Sequence, residues 1–130
     1  MSVALDVVTY LSTTIATLTT GTNLFIGTIK DNDLIQDESV FVKGTGGRKP
    51  KRTFCDSLAV KYPKIQIVIR SNSLSTGASS VATLADLIYT AMNSDIAGYK
   101  DVKPLQSEFV DLGEDEKDRN YYSCNFELME

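Results

Sequence analysis

Tyr121-Tyr122-Ser123-Cys124-Asn125-Phe126-Glu127-Leu128 decides the fold class. In an extended chain successive side chains point to opposite faces. Tyr122, Cys124, Phe126 and Leu128 then share one side, and Tyr121, Ser123, Asn125 and Glu127 the other. One apolar and one polar side is the pattern of a half-buried antiparallel strand.

Outward from this stretch, Lys64-Ile65-Gln66-Ile67-Val68-Ile69-Arg70 reads as a second strong strand, opened by Tyr62-Pro63. Ile65, Ile67 and Ile69 line one face and Val68 the other. Ser39-Val40-Phe41-Val42-Lys43 reads as a strand ending at Gly44-Thr45-Gly46-Gly47, and Asn23 to Ile29 as a short one. Val102 to Gln106 and Ser107 to Leu112 read as weaker strands. Two segments carry helical spacing instead. Leu5, Val8, Leu11, Ile15 and Leu18 recur every three or four residues in the first, which Ser2 can cap and Gly21 stops. Val81, Leu84, Ala85, Ile88, Ala91 and Met92 form the face of a helix from about Ala78 to Asn93.

The expected order is α-β-β-β-α-β-β-β. Strands do not alternate with helices, which disfavours a doubly wound parallel sheet. The expectation is an α+β fold: a mixed, mostly antiparallel sheet with two helices on one face. The 130 residues suit one domain and a core that needs no staples. Residues 44–61 are expected as an exposed, irregular loop, because Gly, Pro and charge cluster there.

Composition narrows the chemistry. The chain holds no histidine, which removes Ser-His and Cys-His nucleophile pairs and histidine metal ligands. Its two cysteines, Cys55 and Cys124, fit no zinc spacing and are expected as structural or incidental thiols. No catalytic residues, cofactor or metal site are expected. The start of the chain lacks the basic and apolar regions of a secretory signal, and no apolar run approaches the length of a membrane helix, so synthesis in the cytoplasm is expected.

The net charge of −4 argues against broad nucleic-acid binding, but its distribution is uneven. Lys43, Arg48, Lys49, Lys51 and Arg52 lie in a stretch without acids, beside Gly44, Gly46 and Gly47. The glycine spacing is wrong for a phosphate-binding P-loop and no helix is expected to follow. The stretch is either a solvated loop or a basic arm that orders against an acidic partner or a nucleic-acid backbone. Asp111, Glu114, Asp115, Glu116 and Asp118 face only Lys117 and Arg119 in a second stretch. It lacks the order of acids, central glycine and distal glutamate of a calcium loop. Its plain reading is a solvated hairpin tip. Tyr62, Tyr89, Tyr99, Tyr121 and Tyr122 suit either a protein interface or, more commonly, the core and sheet faces. Arg48, Lys49, Lys51, Arg52, Glu114, Asp115, Glu116 and Asp118 are the candidate interface residues. In a ring, the basic loop of one subunit could meet the acidic turn of the next.

The opening helix, Gly21-Thr22-Asn23-Leu24-Phe25-Ile26-Gly27, the Gly46-Gly47 turn, Tyr62-Pro63-Lys64-Ile65-Gln66-Ile67, Leu112 to Arg119 and Ser123-Cys124-Asn125-Phe126 follow one another along the whole chain. In that order they resemble the minor capsid or tail-terminator proteins of long-tailed bacteriophages. The resemblance implies a virion protein without catalysis, assembled in the host cytoplasm. It would form a hexameric ring that caps the head-proximal end of the tail tube and offers the head connector or stopper protein a docking surface. DNA would pass through the ring without sequence-specific binding. A head-completion or neck component is the alternative within that class. A small ligand-binding domain or enzyme is the alternative from another class, and it would need a buried carboxylate or a polar pocket.

Overall fold

The computed structural model describes residues 3–16, 18–27, 39–52, 59–72, 77–93, 96, 98–114 and 119–129. Its elements run α1 (Val3–Thr14), β1 (Leu24–Ile26), β2 (Ser39–Gly44), β3 (Arg48–Arg52), β4 (Ala59–Tyr62), β5 (Lys64–Asn72), α2 (Gly77–Met92), β6 (Asp101–Pro104), β7 (Val110–Glu114) and β8 (Arg119–Met129).

The two strands read most readily from sequence form the centre. β5 and β8 pair antiparallel from Lys64↔Glu127 to Asn72↔Arg119. β2 joins the other side of β5 antiparallel, and β1 adds to β2 in parallel, which makes the sheet mixed. β6 and β7 share the outer side of β8 end to end, β6 along Phe126 to Met129 and β7 along Asn120 to Ser123. The fold is therefore α+β, as expected, with mostly antiparallel pairing.

One face of the sheet carries the main core. Val40, Val42, Ile65, Ile67, Ile69, Cys124, Phe126 and Leu128 are buried there against Val7, Val8 and Leu11 of α1 and Ile88 and Met92 of α2. α1 packs over β1 and β2, α2 over β5 and β6, and the helices touch each other. Apolar side chains at every second strand position and at three-to-four spacing in the helices make this face the one that leaves water. Tyrosines tie its parts together. Tyr10 of α1 donates to the Ala91 carbonyl of α2 at 2.7 Å, Tyr99 to the Asp6 carboxylate at 2.7 Å, and Tyr89 to the Gln106 carbonyl at 2.9 Å.

The opposite face is buried too at its centre. Phe41, Val68, Arg70, Ser39 and Ser123 are all buried. Phe25 stacks on Phe41 at 5.5 Å, and the Arg70 guanidinium lies 5.3 Å from the Phe41 ring centre. A guanidinium over an aromatic face gains from the ring's negative quadrupole.

Several expectations need correction. Five strands, not three, lie between the helices, because β3 and β4 fall inside the stretch read as an irregular loop. Arg48-Lys49-Pro50-Lys51-Arg52 has no apolar alternation, so periodicity could not reveal it. It pairs through its backbone with Ala59 to Tyr62, and the register shifts between Arg48 and Lys51, around Pro50. Proline has no N–H for a ladder and is tolerated at such an irregularity. The α1 face also differs: Ala4, Val7, Val8 and Leu11 are buried, while Leu5 is exposed. Ile15 and Leu18 do reach the core, but after the helix has ended at Thr14. The strand expected to reach Gln106 stops at Pro104. Beyond it, Leu105 N–H donates to the Asn125 carbonyl at 2.9 Å, and the Gln106 side-chain oxygen accepts from Asn125 N–H at 2.7 Å. The side chain takes over the acceptor role that a strand carbonyl would have had. Ser2, the expected cap, lies outside the described residues.

Candidate interaction surface

The basic stretch is built as a ribbon. β2 ends at Gly44, and Thr45 N–H donates to the Lys64 carbonyl at 2.9 Å, which holds the exit against the start of β5. Gly46 and Gly47 then turn the chain with φ of 90° and 102°. A Cβ on Gly47 would collide with the Tyr62 carbonyl oxygen, so no other residue fits there without moving backbone. Arg48, Lys49, Lys51 and Arg52 all lie on β3, which pairs antiparallel with β4 as a two-stranded sheet of its own. β4 leads through Pro63 directly into β5.

The strands that flank the acidic stretch meet the sheet elsewhere. β7 ends at Glu114, paired with Asn120, and β8 begins at Arg119, opposite Asn72. Asp115, Glu116 and Asp118 lie outside the described residues. The ribbon is thus rooted at the first residue of β5, and the β7–β8 connection lies at the level of its last. The nine residues of β5 separate the two by about 26 Å at the usual rise per strand residue. The structure does not bring the basic and acidic candidates together within one copy at their roots.

β7 itself has features that sequence reading missed. Val110 and Leu112 are 46% and 57% exposed, and Leu112 is the most exposed of the large apolar side chains described. Glu108 and Asp111 beside them are exposed as well. The β7 register shifts between Asp111 and Gly113, and Gly113, with φ of 93°, donates its N–H to the Asp111 carboxylate at 2.8 Å. Such a bulge bends an edge strand and discourages open-ended strand addition. The Leu112-Gly113 pair with Asp111 before it was the only advance sign, since Gly at a bulge commonly takes positive φ.

The tyrosines resolve towards the ordinary reading. Tyr89 and Tyr99 are tied by hydrogen bonds inside the fold, and Tyr122 packs at the core margin. Tyr62 and Tyr121 are half-buried. Cys124 carries a free thiol in the core, and its burial pushes the thiol pKa up despite backbone contacts at Gln106 and Asn125 that pull the other way. Cys55 lies outside the described residues. A groove of about 460 Å³ runs between α1 and α2, lined by Tyr10, Ile15, Leu87, Thr90 and Ala91 with Asp86 at its side. The Tyr10 hydroxyl is already committed to Ala91, so the groove offers little converging polar chemistry. Among the described residues no three His, Cys, Asp or Glu side chains group as a metal site, and no helix is long and apolar enough to cross a membrane. No protein-family model matches the chain, and a search of curated proteins finds no match.

Proposed function

We propose that this chain is a structural virion protein whose copies form a ring, a hexamer, that terminates a bacteriophage tail tube and joins it to the head-proximal connector. The observation that supports this reading is the division along β5: the basic ribbon is rooted at its first residue, and the ends of β7 and β8, which flank the acidic stretch in the sequence, lie at the level of its last. A subunit with complementary ends can contact its neighbour head to tail, and such contacts close into a ring when the rotation per subunit allows. The protein works by binding copies of itself, the tube and the connector, not by catalysis. DNA passes through the lumen. An acidic lining would repel phosphate there, whereas a basic one would hold the duplex by counterion release. The β7–β8 acids therefore belong near the lumen or a contact between subunits, and the ribbon against protein.

The test is loss of the protein during infection. A phage lacking it should make tail tubes of unregulated length that fail to join heads, and supplying the protein should restore both. Tubes of normal length without it would contradict the tail-terminating role. Normal free tails with unsealed heads would point to a head-completion role instead.

A further inference from the structure

We infer that the basic β3–β4 ribbon of one copy docks on the β7 edge of a second copy. This rests on the reading above only in taking a second copy as the partner. From Lys43 to Arg52 the chain carries five basic residues and no acid, and from Glu108 to Glu114, along and just before β7, it carries three acids and no base. The two segments are complementary, and each is of one sign. Exposed Val110 and Leu112 add apolar area to the acidic edge, the combination expected of a surface that excludes water at its centre and uses charge around it. Among the described residues β7 pairs only with β8, and no described strand adds to its outer side. Its bulge favours side-chain docking over continued strand pairing. The roots of ribbon and edge lie apart along β5, so each copy presents both halves of the contact to different neighbours. That arrangement is heterologous and repeats from copy to copy.

A charge swap tests the inference in solution, with no tail present. One variant carries K49E, K51E and R52E, the other E108K and E114K; Asp111 is left alone because it holds the bulge. The wild type should self-associate at low salt in sedimentation velocity and weaken by about tenfold or more at high salt, since exposed charge contacts are screened. Each variant alone should sediment as a monomer. Mixed one to one they should associate again, because each ribbon then finds an edge of opposite sign. Far-UV circular dichroism and a cooperative melt of each variant establish that both are folded, and charge-neutral K49Q/K51Q/R52Q, expected at intermediate affinity, replaces the ribbon reversal if that variant fails to fold. A wild type monomeric throughout, variants that associate as the wild type does, or folded variants that stay apart on mixing would each overturn the inference. So would binding of short duplex DNA that the ribbon reversal abolishes without rescue on mixing, which would make nucleic acid the ribbon's partner. Failure of the swap leaves the infection test above standing, and a phage with normal tails leaves the swap standing.

Discussion

Phe126 lies on β8 between the helices and the sheet, fully buried and tilted against Tyr89 at a ring-centre distance of 6.1 Å. Truncation removes a large buried side chain and leaves a cavity that a close-packed core cannot fill. Phe126→Ala should cost about 3–5 kcal/mol in urea denaturation, with little change in the denaturant slope. Cys124, in the same apolar row, should behave as a structural thiol. Burial disfavours the thiolate, so alkylation by iodoacetamide should be slow in the native protein and rapid after unfolding. The sign of the pH effect follows from the raised folded pKa. The thiol's contribution to stability is fully present below the ordinary thiol pKa of the unfolded chain and is lost as pH rises through the higher folded value. Cys124→Ser should remove that alkaline slope from the denaturation midpoint. Arg70 shows what a residue-level sequence reading misses. It is the charged residue that follows the apolar run Ile67-Val68-Ile69, yet it is 1% exposed and lies over Phe41. Alternation placed its side chain on the right face, but alternation says nothing about whether the second face is covered.

At the scale of elements, the sequence was most legible where one face is apolar and the other is not. β5, β8 and α2 lie close to where their periodicity predicts them, because burial of a single face writes a period of two or 3.6 into the chain. β3 and β4 were illegible for the opposite reason. A two-stranded ribbon is specified by backbone pairing and turn geometry, and neither leaves an apolar period in Arg48-Lys49-Pro50-Lys51-Arg52. Gly47 was visible as part of the Gly46-Gly47 turn, but the close approach of the Tyr62 carbonyl that requires it belongs to the pairing. Gly47→Ala should therefore open the ribbon and spare the sheet. Hydrogen exchange should rise at the amides of β3 and β4, while those of β5 and β8 stay protected; equal loss in both would mean that the ribbon is integral to the main core. The β7 bulge makes a parallel case. Asp111→Ala removes the acceptor for Gly113 N–H and should cost about 1 kcal/mol, read as a lower urea midpoint, with the amides of β7 exchanging faster than those of β6.

For the whole molecule, the two charged stretches were legible as charge but not as geometry. Sequence placed Arg48, Lys49, Lys51 and Arg52 in one group and Glu114, Asp115, Glu116 and Asp118 in another. Topology separates their roots: the β3–β4 ribbon joins β5 at Lys64, whereas β7 ends and β8 begins at the level of Asn72, the other end of the β5–β8 pair. The exposed Val110 and Leu112 on β7, next to the acidic stretch, mark an edge suited to a neighbour. Electron microscopy of the protein mixed with assembled tail tubes tests the proposed role most directly. The account predicts six-fold rings seated on one end of each tube, which then stops growing. Bare tube ends and continued growth, with the folded protein left free in solution, would contradict it.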